Sequence, residues 1–123
     1  MAIKYLKAKS NLKDAPLTKD ELEIIQKVED YIDNEINENF DGNELHFDTN
    51  VLDFRFNPDN PSQHTWGVFS DIKDIRKGIM SEELKSRYIK HGWEWKLNMD
   101  DGLDGPNMSG PDYWILRGRK DLR

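Results

Sequence analysis

The stretch SEELKSRYIKHGWEWKLN, Ser81 to Asn98, changes its hydrophobic period from about 3.6 residues to about 2 across one glycine. Leu84 and Tyr88 fall on one face with Ile89 beside them, which predicts a helix. Ser81 suits its N-cap, and Glu82 and Glu83 its first turn, where the helix dipole favours negative charge. Gly92 offers the left-handed residue that ends many helices. After it Trp93, Trp95, Leu97 and Met99 point one way and Glu94, Lys96 and Asn98 the other, as in a half-buried strand. A helix that stops at glycine and turns directly into a tryptophan-rich strand calls for helices layered on a sheet.

The remaining elements fit such a layer. Thr18 and Glu21 form a capping box, with Leu17 and Leu22 at the staple positions. Leu22, Ile25, Val28, Ile32 and Ile36 then recur at helical spacing, widened by Ile24 and Tyr31, until Asn37–Asn39 and the turn Asp41-Gly42. Leu45 and Phe47 alternate, as do Leu52, Phe54 and Phe56, but out of phase, which a bulge or break around Thr49–Asn50 would reconcile. Thr65–Phe69 reads as a return strand forming a hairpin with Leu52–Phe56. Ser70 could cap a further turn or two of helix over residues 71–80, built on Ile72, Ile75 and Ile79 and weakened by Gly78. Tyr113–Arg117 is the last strand. The expectation is an α+β fold of order α-β-β-α-β-β, two helices on one face of a small antiparallel sheet, as a single domain over 17–117. Residues 1–16 read as a basic N-terminal arm and 118–123 as a basic tail.

A chain of 123 residues is one domain's worth, and the absence of cysteine excludes disulfides and thiolate metal sites. No apolar run approaches the ~20 residues that span a bilayer, and MAIKYLKAKS lacks a signal-peptide core, so no membrane partner and a cytoplasmic setting are expected. The net charge of −6 is segregated: residues 1–19 carry five lysines against Asp14, whereas residues 20–60 hold thirteen acids against Lys27 and Arg55. Such asymmetry directs association rather than fold.

Chemistry is sparsely signalled. Asn37, Asn39, Asp41, Gly42 and Asp48 approach calcium-loop spacing, but the first position lacks charge, the last lacks the longer Glu, and a strand follows. Asp100, Asp101 and Asp104 form a second acidic loop, explained equally by turn chemistry. His46 and Asp48 share a strand face without a visible third ligand, His64 adjoins Ser62 and Thr65 without an orienting acid, and His91 suits a helix C-terminus. No metal, cofactor or catalytic set is therefore assigned. Trp93, Trp95 and Tyr113 with Lys96, Arg117 and Arg119 could stack bases, yet the alternation of the tryptophans fits a core face and an acidic chain repels phosphate.

The leading expectation is a small non-enzymatic protein-interaction module, an assembly component or inhibitor. Lys4, Lys7, Lys9 and Lys13 of the arm, Asp20, Glu23, Asp30 and Asp33 of the acidic helix face, and Arg117, Arg119 and Lys120 are its candidate partner-binding residues. A nucleic-acid-associated regulator using the C-terminal aromatic and basic residues is the alternative, and an enzyme with a site around 100–112 the third reading. Richness in Lys, Asn, Ile and Asp without Cys resembles the composition of small virus-encoded proteins and transfers no residue roles.

Overall fold

The computed structural model describes residues 2–55, 57–58, 72–98 and 113–123. Helix α1 spans Tyr5–Asp14 and α2 Lys19–Asn39; strand β1 follows at Glu44–Asp48, then a helical turn α3 at Asn50–Asp53. Helix α4 spans Asp74–Ile89, β2 Trp93–Asn98 and β3 Tyr113–Gly118, with a final 3-10 turn at Lys120–Leu122. The three strands form one antiparallel sheet in the order β1-β3-β2. The protein is an α+β domain, as its periodicities imply.

Helix α2 begins as its capping box dictates. Thr18 Oγ1 accepts from Glu21 N at 3.1 Å, and Glu21 Oε1 accepts from Thr18 N at 2.9 Å. Ile25, Val28 and Ile32 are fully buried, Ile36 is half-buried, and Leu22 at the edge of the stripe remains exposed. The contacts Glu21–Arg76, Glu29–Arg87 and Asp33–Tyr88 advance together along both helices, so α2 and α4 run parallel across the sheet.

The sheet register puts Leu45, Leu116 and Trp95 in one cross-strand row and Phe47, Trp114 and Leu97 in the next, all on the helix-bearing face. Leu45, Phe47 and Leu116 join Ile25, Val28, Ile32, Met80, Leu84 and Tyr88 in one core. Trp93, Trp95 and Trp114 pack half-buried against it. Trp95 is the centre of the rings, edge-on to Tyr88 at 5.8 Å and to Trp114 at 6.1 Å between centroids. The opposite face carries Glu44, Arg117 and Glu94 in one row, and the His46 ring lies 4.8 Å from that of Tyr113.

Two expectations are corrected. Residues 52–56 do not continue as a strand: Asp48 Oδ1 accepts from Asn50 N at 3.0 Å, and the chain winds into α3. That turn buries the consecutive Val51 and Leu52, which a strand facing one core cannot do, and Phe54 leaves it with φ of +57°. The second strand of the order α-β-β-α-β-β, the return strand 65–69, lies outside the described residues. Residues 71–80 and 81–91 form one helix rather than two, with Ser81 inside it and no side-chain cap at Lys73. Arg76, Met80, Leu84 and Tyr88, each four residues on, form a continuous buried row. The packing of that row outweighs the ~1 kcal/mol that Gly78 costs. The segment 1–16, read as an arm, holds α1. The tail 118–123 begins inside β3 and curls back, with Arg119 N donating to Gly92 O at 2.9 Å.

Gly92 terminates α4 as expected, at φ of +92°. A Cβ there would also stand 2.9 Å from Leu122 Cδ1, the free end of a side chain that can move. Gly92→Ala is therefore expected to cost about 1–2 kcal/mol, mainly in backbone strain, read as a lower urea midpoint with unchanged slope.

Candidate interaction site

Arg76 stands on the buried row of α4, where an aliphatic residue would be the simple choice. All five of its N–H donors are used. Nε donates to Glu21 Oε2 at 2.9 Å and Nη2 to Glu21 Oε1 at 2.6 Å, a bidentate pair. Nη1 donates to the carbonyls of Leu12 and Ala15 at 2.7 and 2.8 Å, and Nη2 also to that of Pro16 at 3.1 Å. The guanidinium thus closes the C-terminal end of α1, whose last carbonyls have no partner within the helix, and ties it to the N-cap of α2. Hydrogen bonding from Arg76 holds the Glu21 carboxyl well below its ordinary value of 4.5, at about 2, against the opposing effect of burial.

Helix α1 itself buries nothing. Ile3, Tyr5 and Leu6 are 69%, 74% and 75% exposed, far more than the other large apolar side chains of the helical layer. Lys4 occupies the N-cap without a side-chain hydrogen bond, Lys7 and Lys9 lie on the exposed helix, and Lys13 sits in its last turn, where the dipole favours a cation. The four predicted lysines thus lie on or next to one short helix that also carries the exposed Tyr5 and Leu6. Ser10 Oγ donates to Asp14 Oδ2 at 2.7 Å, a local brace.

The acidic residues of α2 divide by partner. Asp20 and Glu23 are exposed, and Asp30 is exposed and accepts from Gln26 Nε2 at 2.9 Å. Asp33 is drawn toward α4: the Tyr88 hydroxyl lies 2.7 Å from its Oδ1 and 3.0 Å from the Glu29 carbonyl, with one proton to share. Burial, and then this bond, push the Tyr88 phenol far above its usual range. Arg87 bridges Glu29 at 3.1 Å and Glu83 at 3.3 Å. Asp33, like Asp20, Glu23 and Asp30, is exposed, and it differs from them in accepting the Tyr88 hydroxyl from α4.

At the C-terminus the basic residues are more neutralised than dispersed. Arg117 lies between Glu44 and Glu94 in the register and pairs with Glu94, which Arg123 also reaches at 3.1 Å. Arg119 is 3.5 Å from Asp121, and Lys120 opens the 3-10 turn. The structure does not bring this group to the lysines of α1 through any hydrogen bond or ion pair among the described residues.

The calcium-like spacing resolves into turn chemistry. Asp41 Oδ1 accepts from Asn43 N at 2.8 Å and Glu44 N at 2.9 Å, bonds that lower its carboxyl pKa. Asn39 lies in α2, bonded to Glu35 at 2.8 Å. His46 Nε2 is 2.7 Å from Glu44 Oε1 on the open sheet face. Among the described residues no group of three or more His, Cys, Asp or Glu could hold a metal ion. No helix among them is long and apolar enough to cross a membrane. Asp100, Asp101, Asp104, His64 and the 100–112 loop lie outside the described residues.

Arg76 was not singled out by sequence reasoning, although one signal existed: it occupies the position four before Met80 on the apolar face of its helix. The exposure of Ile3, Tyr5 and Leu6 agrees with their scattered placement in a lysine-rich segment. Neither a protein-family model, nor a curated protein, nor a solved structure matches this chain.

Proposed function

We propose that the protein is a non-enzymatic, cytoplasmic interaction module that offers α1 to an acidic protein partner, as an assembly component or an inhibitor. The observation that carries this reading is the mooring of α1: Arg76 holds its C-terminal end while Ile3, Tyr5 and Leu6 stay in water among lysines. A ten-residue helix is marginal alone in water. One fixed at a single end keeps its apolar side chains presented at reduced ordering cost. Charge would steer the encounter, and Tyr5 and Leu6 would supply the buried contacts. The nucleic-acid reading draws less support, because Arg117 is engaged by Glu94 and flanked by Glu44.

A photo-crosslinker placed at position 6 is expected to capture an acidic protein in the native source. Affinity for that protein should fall about tenfold or more on Leu6→Asp and on removal of residues 2–11, and should weaken with rising salt. The melting temperature should move by less than about 3 °C in both variants, because neither removes a buried side chain or a carbonyl that Arg76 uses. Unchanged affinity in both variants would overturn the proposal.

A further inference from the structure

We propose that β2 is a dimerisation edge, two copies of this chain pairing their β2 strands antiparallel about a twofold axis through Trp95. This goes beyond the reading of α1 and uses none of its residues.

Among the described residues β2 lies at the margin of the sheet. Its ladder parity follows from one bond: Arg119 N donates to Gly92 O at 2.9 Å, and the register puts Gly92 and Arg119 opposite each other. Residues 94, 96 and 98 therefore direct their main-chain groups toward β3, and Trp93, Trp95 and Leu97 direct theirs outward. Beside this row Ile89 is 46% and Leu97 37% exposed, and Trp93 and Trp95 are half-buried. A groove of about 600 Å³ runs along it, with Ile89, Trp93 and Trp95 in its wall.

The sequence of β2 is complementary to itself in one register. Side chains of opposed residues share a face, so keeping both helix layers on the same side restricts the axis to a residue rather than a gap between residues. An axis through Trp95 opposes Trp95 to its own copy, Trp93 to Leu97 of the second copy, and Glu94 to Lys96 of the second copy, twice over. The first two sets meet on the helix-bearing face, beside the exposed Ile89. The charged pairs fall at the non-hydrogen-bonded positions, where opposed side chains come closest. An axis through Glu94 or Lys96 would instead set like charges face to face. Lys96 has no ion-pair partner among the described residues, whereas Glu94 already holds Arg117 and Arg123. A lysine on an edge strand ordinarily discourages pairing. Here Glu94, two residues away, turns it into a device that admits one register. The product is a continuous six-stranded sheet with all helices on one side.

The test is sedimentation velocity of the full chain from about 1 to about 300 µM, a range that brackets a modest edge contact. A concentration-dependent dimer is expected, with slower hydrogen exchange at the amides of Trp93, Trp95 and Leu97 as it forms. Glu94→Lys and Lys96→Glu should each raise the dissociation constant about tenfold or more, by placing like charges opposite. An equimolar mixture of those two variants should dimerise again, since every cross-pair then becomes attractive. Circular dichroism melts confirm that each variant is folded before it is scored. A wild-type chain that stays monomeric throughout, or a mixture no better associated than its components, would overturn the proposal. Either result leaves the crosslink from position 6 unaffected.

Discussion

Replacing Arg76 by methionine is expected to lower the melting temperature by about 10 °C or more. The substitution strands a nearly buried Glu21 carboxylate and removes the donors to the carbonyls of Leu12, Ala15 and Pro16 together. Glu21→Leu combined with Arg76→Leu should recover only part of the loss, because those carbonyls stay unsatisfied and the capping box is broken. Acid titration gives the sign independently. Glu21 has its folded pKa depressed to about 2 from an ordinary 4.5, so its contribution is complete above the unfolded value and is withdrawn as pH falls from about 4.5 toward 2. Glu21→Gln should flatten that part of the stability-against-pH curve measured by urea titration. A wild-type curve as flat as that of the variant would show that the pair is not formed in solution.

Leu84→Ala is expected to cost about 3–5 kcal/mol. Leu84 is fully buried in α4 within a row whose neighbours, Met80 and Tyr88, are themselves held by the α2 stripe and the sheet. Rings lock the surroundings: Trp95 stands edge-on to Tyr88 and Trp114, so the space left by three carbons cannot be closed by a small shift. Denaturant unfolding measures it, and a loss under about 1 kcal/mol would mean that the site collapses freely. Trp95→Ala removes more atoms but from a half-buried position, so its larger volume does not translate into a proportionately larger loss.

What could be read in the sequence was what neighbours in the chain decide. Thr18 and Glu21 lie three apart and cap α2 as their spacing demands; Gly92 stops α4 and the alternation of Trp93 and Trp95 makes a strand. The break at Thr49–Asn50 was visible as a phase error, but its form was not. Val51 and Leu52 look β-like, and only the turn made by the Asp48–Asn50 hydrogen bond and the shared core wind them into α3. Arg76 meets Glu21 across 55 residues and Leu12 across 64, which no local pattern encodes, so α1 looked like an arm. The same distance hid the hydrogen bond between Tyr88 and the exposed Asp33. The lysines of residues 1–16 and the apolar Tyr5 and Leu6 among them were legible in the sequence, and the helix that carries them was not.

The central strand of the sheet, β3, is made after both of the strands it joins. On a ribosome adding ~5–20 residues per second, β1 waits for its partner for roughly 3–15 seconds, against the microseconds in which a hairpin closes. Helix α2, with its cap and stripe complete within 21 residues, can form meanwhile. Leu45, Phe47, Trp93 and Trp95 cannot be enclosed until Tyr113–Gly118 has left the exit tunnel. Nascent chains stalled before that point would expose two unpaired strands rich in large apolar side chains, the form of the protein that chaperones would be called on to hold.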